Sequence, residues 1–162
     1  MSQASDSSAQ TNPFQLDGIV PWGRRLDEYA AFFGLAGEPR RWPAILDVGA
    51  GPASFCAEAS AQGARVVAVD PLYRAGGDLI RQRYAATRAT MATGLEKAAP
   101  RFVWDFYPSA ADLLRRRDEA LSIFLEDYDW GRACGRYVAG ALPSLPFRDG
   151  QFGLALVSHL LV

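Results

Sequence analysis

The chain has 162 residues, 49% of them hydrophobic and 12% aromatic, enough apolar material for one domain with a core that needs neither metal nor disulfide. Its 17 basic and 18 acidic residues leave a formal net charge of −1, so it lacks the broad positive field that a nucleic-acid backbone requires. Cys56 and Cys134 are far apart and lack the spacing of a zinc site or redox pair, which suits a reducing cytoplasm, and no apolar run approaches the roughly 18 residues that mark a membrane span.

Residues 1–20 open with MSQASDSSAQTNP, polar and small, and read as a disordered leader; the domain is expected over 21–162. From Trp22 to Leu35, Trp22, Leu26, Tyr29, Ala30 and Phe33 fall near helical spacing, and Gly34 and Gly37 favour a stop. Ala44 to Val48 is a short apolar run ended by glycines and reads as a buried strand. A helix is predicted over Pro52 to Gln62, with the proline in its first turn and Gly63 at its end. Arg65 to Val69, rich in valine, reads as a second buried strand, which completes a βαβ unit with parallel strands.

The stretch from about 77 to 132 reads as at least two helices separated at Pro100 and Pro108. The aromatic run Phe102, Val103, Trp104, Phe106, Tyr107 is expected to pack their connection onto the body. A short strand at Arg136 to Ala139, a proline-containing loop, a turn at Arg148, Asp149 and Gly150, and an apolar strand at Phe152 to Ser158 follow. The apolar ending at Val162 reads as a truncation.

Gly49 and Gly51 stand at the carboxyl end of the first strand, where glycines allow a sharp turn and close approach of a ligand to backbone. About 20 residues later Asp70 ends the second strand, where a carboxylate can accept both hydroxyls of a ribose. Each feature alone also fits a tight turn or a helix-capping acid, but their joint placement points to a nucleoside. Ser54 replaces the third glycine of GxGxxG, which makes a nicotinamide dinucleotide the second choice of ligand. Asp47 fits two roles equally, orienting a ligand ammonium or holding the loop through local hydrogen bonds.

On these residues the chain resembles class I S-adenosylmethionine-dependent methyltransferases from about residue 21 onward. ILDVGAGPASF resembles their first motif, VVAVDP their second, and LPFRDGQFGLALVSHLL the segment leading through their fourth strand. More narrowly, PWGRRLDEY, GPASFCAEA, FVWDF, FLEDY and GRYVAGALPSLPF are similar to an uncharacterised bacterial branch of these enzymes. The resemblance implies a Rossmann-like, doubly wound, mostly parallel α/β sheet, incomplete on its C-terminal side, with a helical insertion at about 77–132 between the second and third strands. It implies S-adenosylmethionine as cofactor and methyl transfer to a small-molecule acceptor. Asp47, Gly49, Ala50 and Gly51 would line the methionine part, Asp70 would hold the ribose, and Pro71 and Leu72 would flank the adenine.

The sequence departs from the family pattern at three places. Gly140, Ala141 and Leu142 stand where an adenine-binding acid is often found, Ala53 replaces a third glycine, and Gly153 replaces the acid of the fourth strand. Strands beyond the fourth are not supplied, so an open sheet edge and dimerisation through it are expected. The alternatives are a non-catalytic, truncated nucleoside-binding module and a fragment of an NAD-linked oxidoreductase.

His159, the sole histidine, follows the fourth strand and is the candidate general base, with a strand-end packing role as the plainer reading. Ser158 is a weaker candidate. Trp22 and Arg24 suit either closure over the cofactor or simple packing and solvation, and LLRRR at 113–117 reads as a solvated helix face.

Overall fold

A computed structural model describes residues 22–158; the leader at 1–20 and His159 lie outside the described residues. Its described part is α/β, with a four-stranded, all-parallel sheet of order β3-β2-β1-β4. The strands are β1 (Ile45–Val48), β2 (Val66–Val69), β3 (Tyr137–Val138) and β4 (Leu154–Val157). Helices α1 (Leu26–Phe33), α2 (Phe55–Ala61), α3 (Gly77–Ala98) and α4 (Ala110–Ala133) complete the fold. Ile45 pairs with Val66 on one side and Leu154 on the other, which makes β1 the central strand about which the chain reverses direction across the sheet.

All four residues of β1 are buried, as a strand covered on both faces requires. Alternation sends Ile45 and Asp47 toward one face and Leu46 and Val48 toward the other. The first face carries the main core, to which all four helices contribute, among them Tyr29, Phe55, Ile80 and Phe124. The second is packed by Leu145, Phe147 and Phe152 from the connection between β3 and β4. Among the described residues the helices therefore cover one face of the sheet.

Helix α4 packs on both α2 and α3, so α3 forms an outer layer over α4. Ser109 caps α4 by accepting the Asp112 N–H at 3.0 Å. The rings of Tyr73, Phe124, Tyr128 and Tyr137 meet at 4.7–6.0 Å between α4 and the sheet. Their hydroxyls are satisfied: Tyr128 donates to the Ala75 carbonyl at 2.9 Å and Tyr137 to Asp127 at 3.0 Å.

Three sequence expectations change. Helix α2 starts at Phe55, with Ser54 preceding it, so Pro52 belongs to the glycine turn and not to a first helical turn. Of the 102–107 aromatic run, Trp104 and Tyr107 pack against Leu95, Leu113 and Leu114, while Phe102 and Phe106 stay 50% and 41% exposed because the short linker cannot turn every ring inward. Arg117 does not belong to a solvated face: it is 1% exposed and ion-paired with the fully buried Glu28 of α1, 89 residues away in sequence.

Candidate functional site

The carboxyl ends of β1 and β2 bring the glycine turn and Asp70 together. Gly49 and Gly51 have φ of 69° and 54°, the left-handed region that side chains with a Cβ resist. The Gly49 N–H donates to the Val69 carbonyl at 2.9 Å, which carries the β1–β2 ladder one step into the turn. Asp70 then fastens it, one oxygen accepting the Gly51 N–H at 2.8 Å and the other the Leu72 N–H at 2.7 Å. From below, the buried Tyr73 hydroxyl donates to the Gly51 carbonyl at 2.6 Å. Apart from its chain neighbours, no described residue lies within 4 Å of where a Gly51 Cβ would stand, so there is space beside the turn at that position.

A carboxylate has roughly four acceptor positions, and the two N–H bonds leave room on Asp70 for two more donors. Burial raises its pKa, and the N–H bonds from Leu72 and Gly51 oppose that shift.

Asp47, on β1 beneath the turn, differs. It is fully buried, and neither carboxylate oxygen has a hydrogen-bond partner. Burial pushes its pKa up to about 7; the Tyr29 hydroxyl works against the shift without completing a hydrogen bond, and the nearby Asp70 charge adds to it. Tyr29 is held there by stacking on Phe55, with centroids 4.2 Å apart and rings 2° from parallel. Burial holds the Tyr29 hydroxyl well above its usual pKa, the Asp47 charge adds to that shift, and Ser158, the residue that follows β4, opposes it. An unpartnered buried carboxyl is costly and rare, so it marks a position where a donor is wanted.

The segment before α1 lies against the turn: a Cβ at Gly23 would overlap the Pro52 carbonyl. The Ser54 N–H donates to the Arg24 carbonyl at 3.0 Å, and the Ser54 hydroxyl bonds Glu58 in the first turn of α2. This segment is clamped through Arg117, which donates to the Gly23 carbonyl at 2.6 Å and pairs with Glu28. Glu28 also accepts the Tyr107 hydroxyl and, at 2.8 Å, the Arg25 N–H. Burial would raise the Glu28 pKa, but the bonds from Arg117, Tyr107 and Arg25 bring it below the usual range.

Of the other expected site residues, Ala50 and Leu72 have their side chains in the main core, which leaves their backbone to face the turn, and Pro71 is half-buried. Leu142, beyond β3, is 54% exposed. Gly153 has a packing reason: a Cβ there would come within 2.7 Å of the Pro43 ring. Cys56 is buried, with its thiol pushed up to about 12 by burial, and both cysteines are free. Among the described residues no group of histidine, cysteine or carboxylate side chains could hold a metal, and no helix is long and apolar enough to cross a membrane. Sequence reasoning missed Tyr73 as a support of the turn and the clamp through Glu28 and Arg117.

The chain is 29% identical over 148 residues to an uncharacterised protein of Methanocaldococcus jannaschii; the match covers 91% of this chain and 66% of that one. It thus spans slightly under two thirds of that relative. No family model matches, and no solved structure matches.

Proposed function

We propose that the chain is an S-adenosylmethionine-dependent methyltransferase with a Rossmann-like, doubly wound fold, acting on a small-molecule acceptor. The observation that carries this reading is Asp47: a fully buried, unpartnered carboxyl directly beneath a left-handed glycine turn, with a second acid, Asp70, on the adjacent strand end. The strand order supports it, since ligands of open parallel sheets bind at carboxyl ends where the order reverses, here between β1 and β4.

The residues fit the cofactor. Asp47 would receive its ammonium, which supplies the missing donors and favours the ionised carboxylate. The backbone of Gly49, Ala50 and Gly51 would line the methionine part. Asp70 would accept the ribose hydroxyls on its remaining lone pairs, and Pro71 and Leu72 would border the adenine. When bound, the cofactor supplies a sulfonium methyl carbon that takes a lone pair from an acceptor O, N, C or S atom as the bond to sulfur breaks. The protein's share is alignment and exclusion of water. His159 remains the proposed base on its sequence position after β4.

A dinucleotide fits less well. The N–H groups of Gly51, Ala53 and Ser54, which a pyrophosphate would need, donate to Asp70, Ala50 and Arg24, and Glu58 adds negative charge at the start of α2. Free cysteines suit a cytoplasmic location, and β4 is the edge through which a homodimer would form.

Thermal melting with S-adenosylhomocysteine or NADH tests the reading. A ligand at about 100 times its Kd stabilises by about 2.7 kcal/mol, a shift of several degrees. A rise with S-adenosylhomocysteine, its loss in Asp70→Ala and no rise with NADH are expected. A cooperative melt unmoved by S-adenosylhomocysteine refutes cofactor binding.

A further inference from the structure

An apolar patch lies exposed where α1 meets the linker between α3 and α4. Phe32 of α1 and Phe102, Val103 and Phe106 of the linker are 41–81% exposed, and the Phe32 and Phe106 rings meet at 5.3 Å. Beside them a cavity of about 270 Å³ is lined by Trp22, Phe32, Leu95, Phe102, Tyr107 and Leu113. The two arginines on its wall are engaged within the chain, Arg117 by Glu28 and Arg24 over the Phe32 ring at 5.6 Å. Scattered apolar side chains at a surface are ordinary, but three rings and a valine around one cavity mark a face that another surface covers.

The chain itself brings a candidate cover to this place. Trp22, the first described residue, lines the cavity and packs with Leu95, Leu113 and Leu114. The residues that precede it divide by composition: 2–12 contain alanine as their only apolar type, whereas 14–20 supply Phe14, Leu16, Ile19 and Val20 around a single charge, Asp17. Val20 stands two residues before Trp22 and Phe14 eight, a reach of up to about 7 Å and about 27 Å. A segment tethered this closely is present at an effective concentration on the order of millimolar, which a second copy at micromolar concentration does not match.

From this placement we infer that residues 14–20 of the same chain are the occupant, laid across Phe32, Phe102, Val103 and Phe106 with an apolar side chain in the cavity. Apolar surface is removed from water on both sides of the contact, and the tether lowers the entropy lost in making it. Docking ties α1 more firmly to the linker that it already meets through Phe32 and Phe106. It is independent of the cofactor and holds whether or not the chain transfers methyl groups.

Photocrosslinking on the full chain tests the contact. With Val103 replaced by p-benzoylphenylalanine, at a position 81% exposed, irradiation at low micromolar concentration should join residue 103 to a site within 14–20. The product should have the mass of one chain, and fragmentation of its digest locates the joined residue. The combined substitutions Phe14→Ser, Leu16→Ser and Ile19→Ser should abolish that product. In the chain that keeps Val103, they should raise the fluorescence of added anilinonaphthalenesulfonate, a dye of exposed apolar surface, at least about twofold while the chain still melts cooperatively. A single-chain product joined outside 14–20, or no product, overturns the docking. A product of twice the chain's mass puts a second copy on the patch and overturns it as well, as does dye fluorescence that the three substitutions leave unchanged.

Discussion

Two carboxylates, Glu28 on α1 and Asp47 on β1, are fully buried and are treated in opposite ways. Glu28 is surrounded by donors: the Arg117 guanidinium, the Tyr107 hydroxyl and the Arg25 N–H. Asp47 is equally buried and has none that completes a hydrogen bond. Burial acts on both, yet the Glu28 pKa ends below its usual value and that of Asp47 near 7. The first fastens α1 to α4 and the entering segment to the turn; the second is the proposed seat of the cofactor's ammonium.

The contrast is broken most strongly at the clamp. Arg117→Ala strands the Glu28 charge in the core and should cost about 3–5 kcal/mol, read by chemical denaturation, with the larger share of the loss at neutral pH. The sign follows from linkage. The folded-state pKa of Glu28 lies below its unfolded value, so its contribution is present above about pH 4.5 and fades as pH falls through the folded pKa.

For Asp47 the direction reverses. Its folded pKa, about 7, exceeds the model-compound 3.8, so between these values the folded chain holds a proton that the unfolded chain has released. Its stability contribution is therefore lost as pH rises through that window, and the penalty is complete above about pH 7. With each pKa unit worth about 1.4 kcal/mol, Asp47→Asn should stabilise the ligand-free protein by a few kcal/mol at pH 8 and change little at pH 4. Denaturation curves at the two pH values measure it, and equal effects at both would remove the distinction between the two acids. Tyr73→Phe sharpens the comparison at lower cost. Losing the donor to the Gly51 carbonyl should destabilise by about 1–2 kcal/mol and loosen the turn, visible as faster amide exchange at Gly51.

Much of this frame was legible in the sequence because it is local. The glycines after an apolar run, the valines of β2 and the proline breaks between α3 and α4 each act within a few residues, and the strand ends fall within about two residues of their expected places. The site was legible in part. The positions of Gly49, Gly51 and Asp70 follow from the βαβ pattern, whereas the isolation of Asp47 depends on what α1 and β4 bring to it. The pairing of Glu28 with Arg117 was hidden for the same reason: LLRRR has a solvated look until α1, 89 residues away, supplies a carboxylate at its third arginine. Gly153 likewise acquires its meaning from Pro43, which lies distant in sequence but adjacent in space.

The most direct measurement is the titration of the Asp47 side-chain carboxyl by NMR of aspartate-labelled protein, with and without saturating S-adenosylhomocysteine. A midpoint near 7 in the free protein, moving down by at least two units when the ligand's ammonium arrives, is the expected result. A midpoint near 4 in the free protein, or one near 7 that the bound ligand leaves in place, contradicts the assignment of Asp47 as the cofactor's anchor.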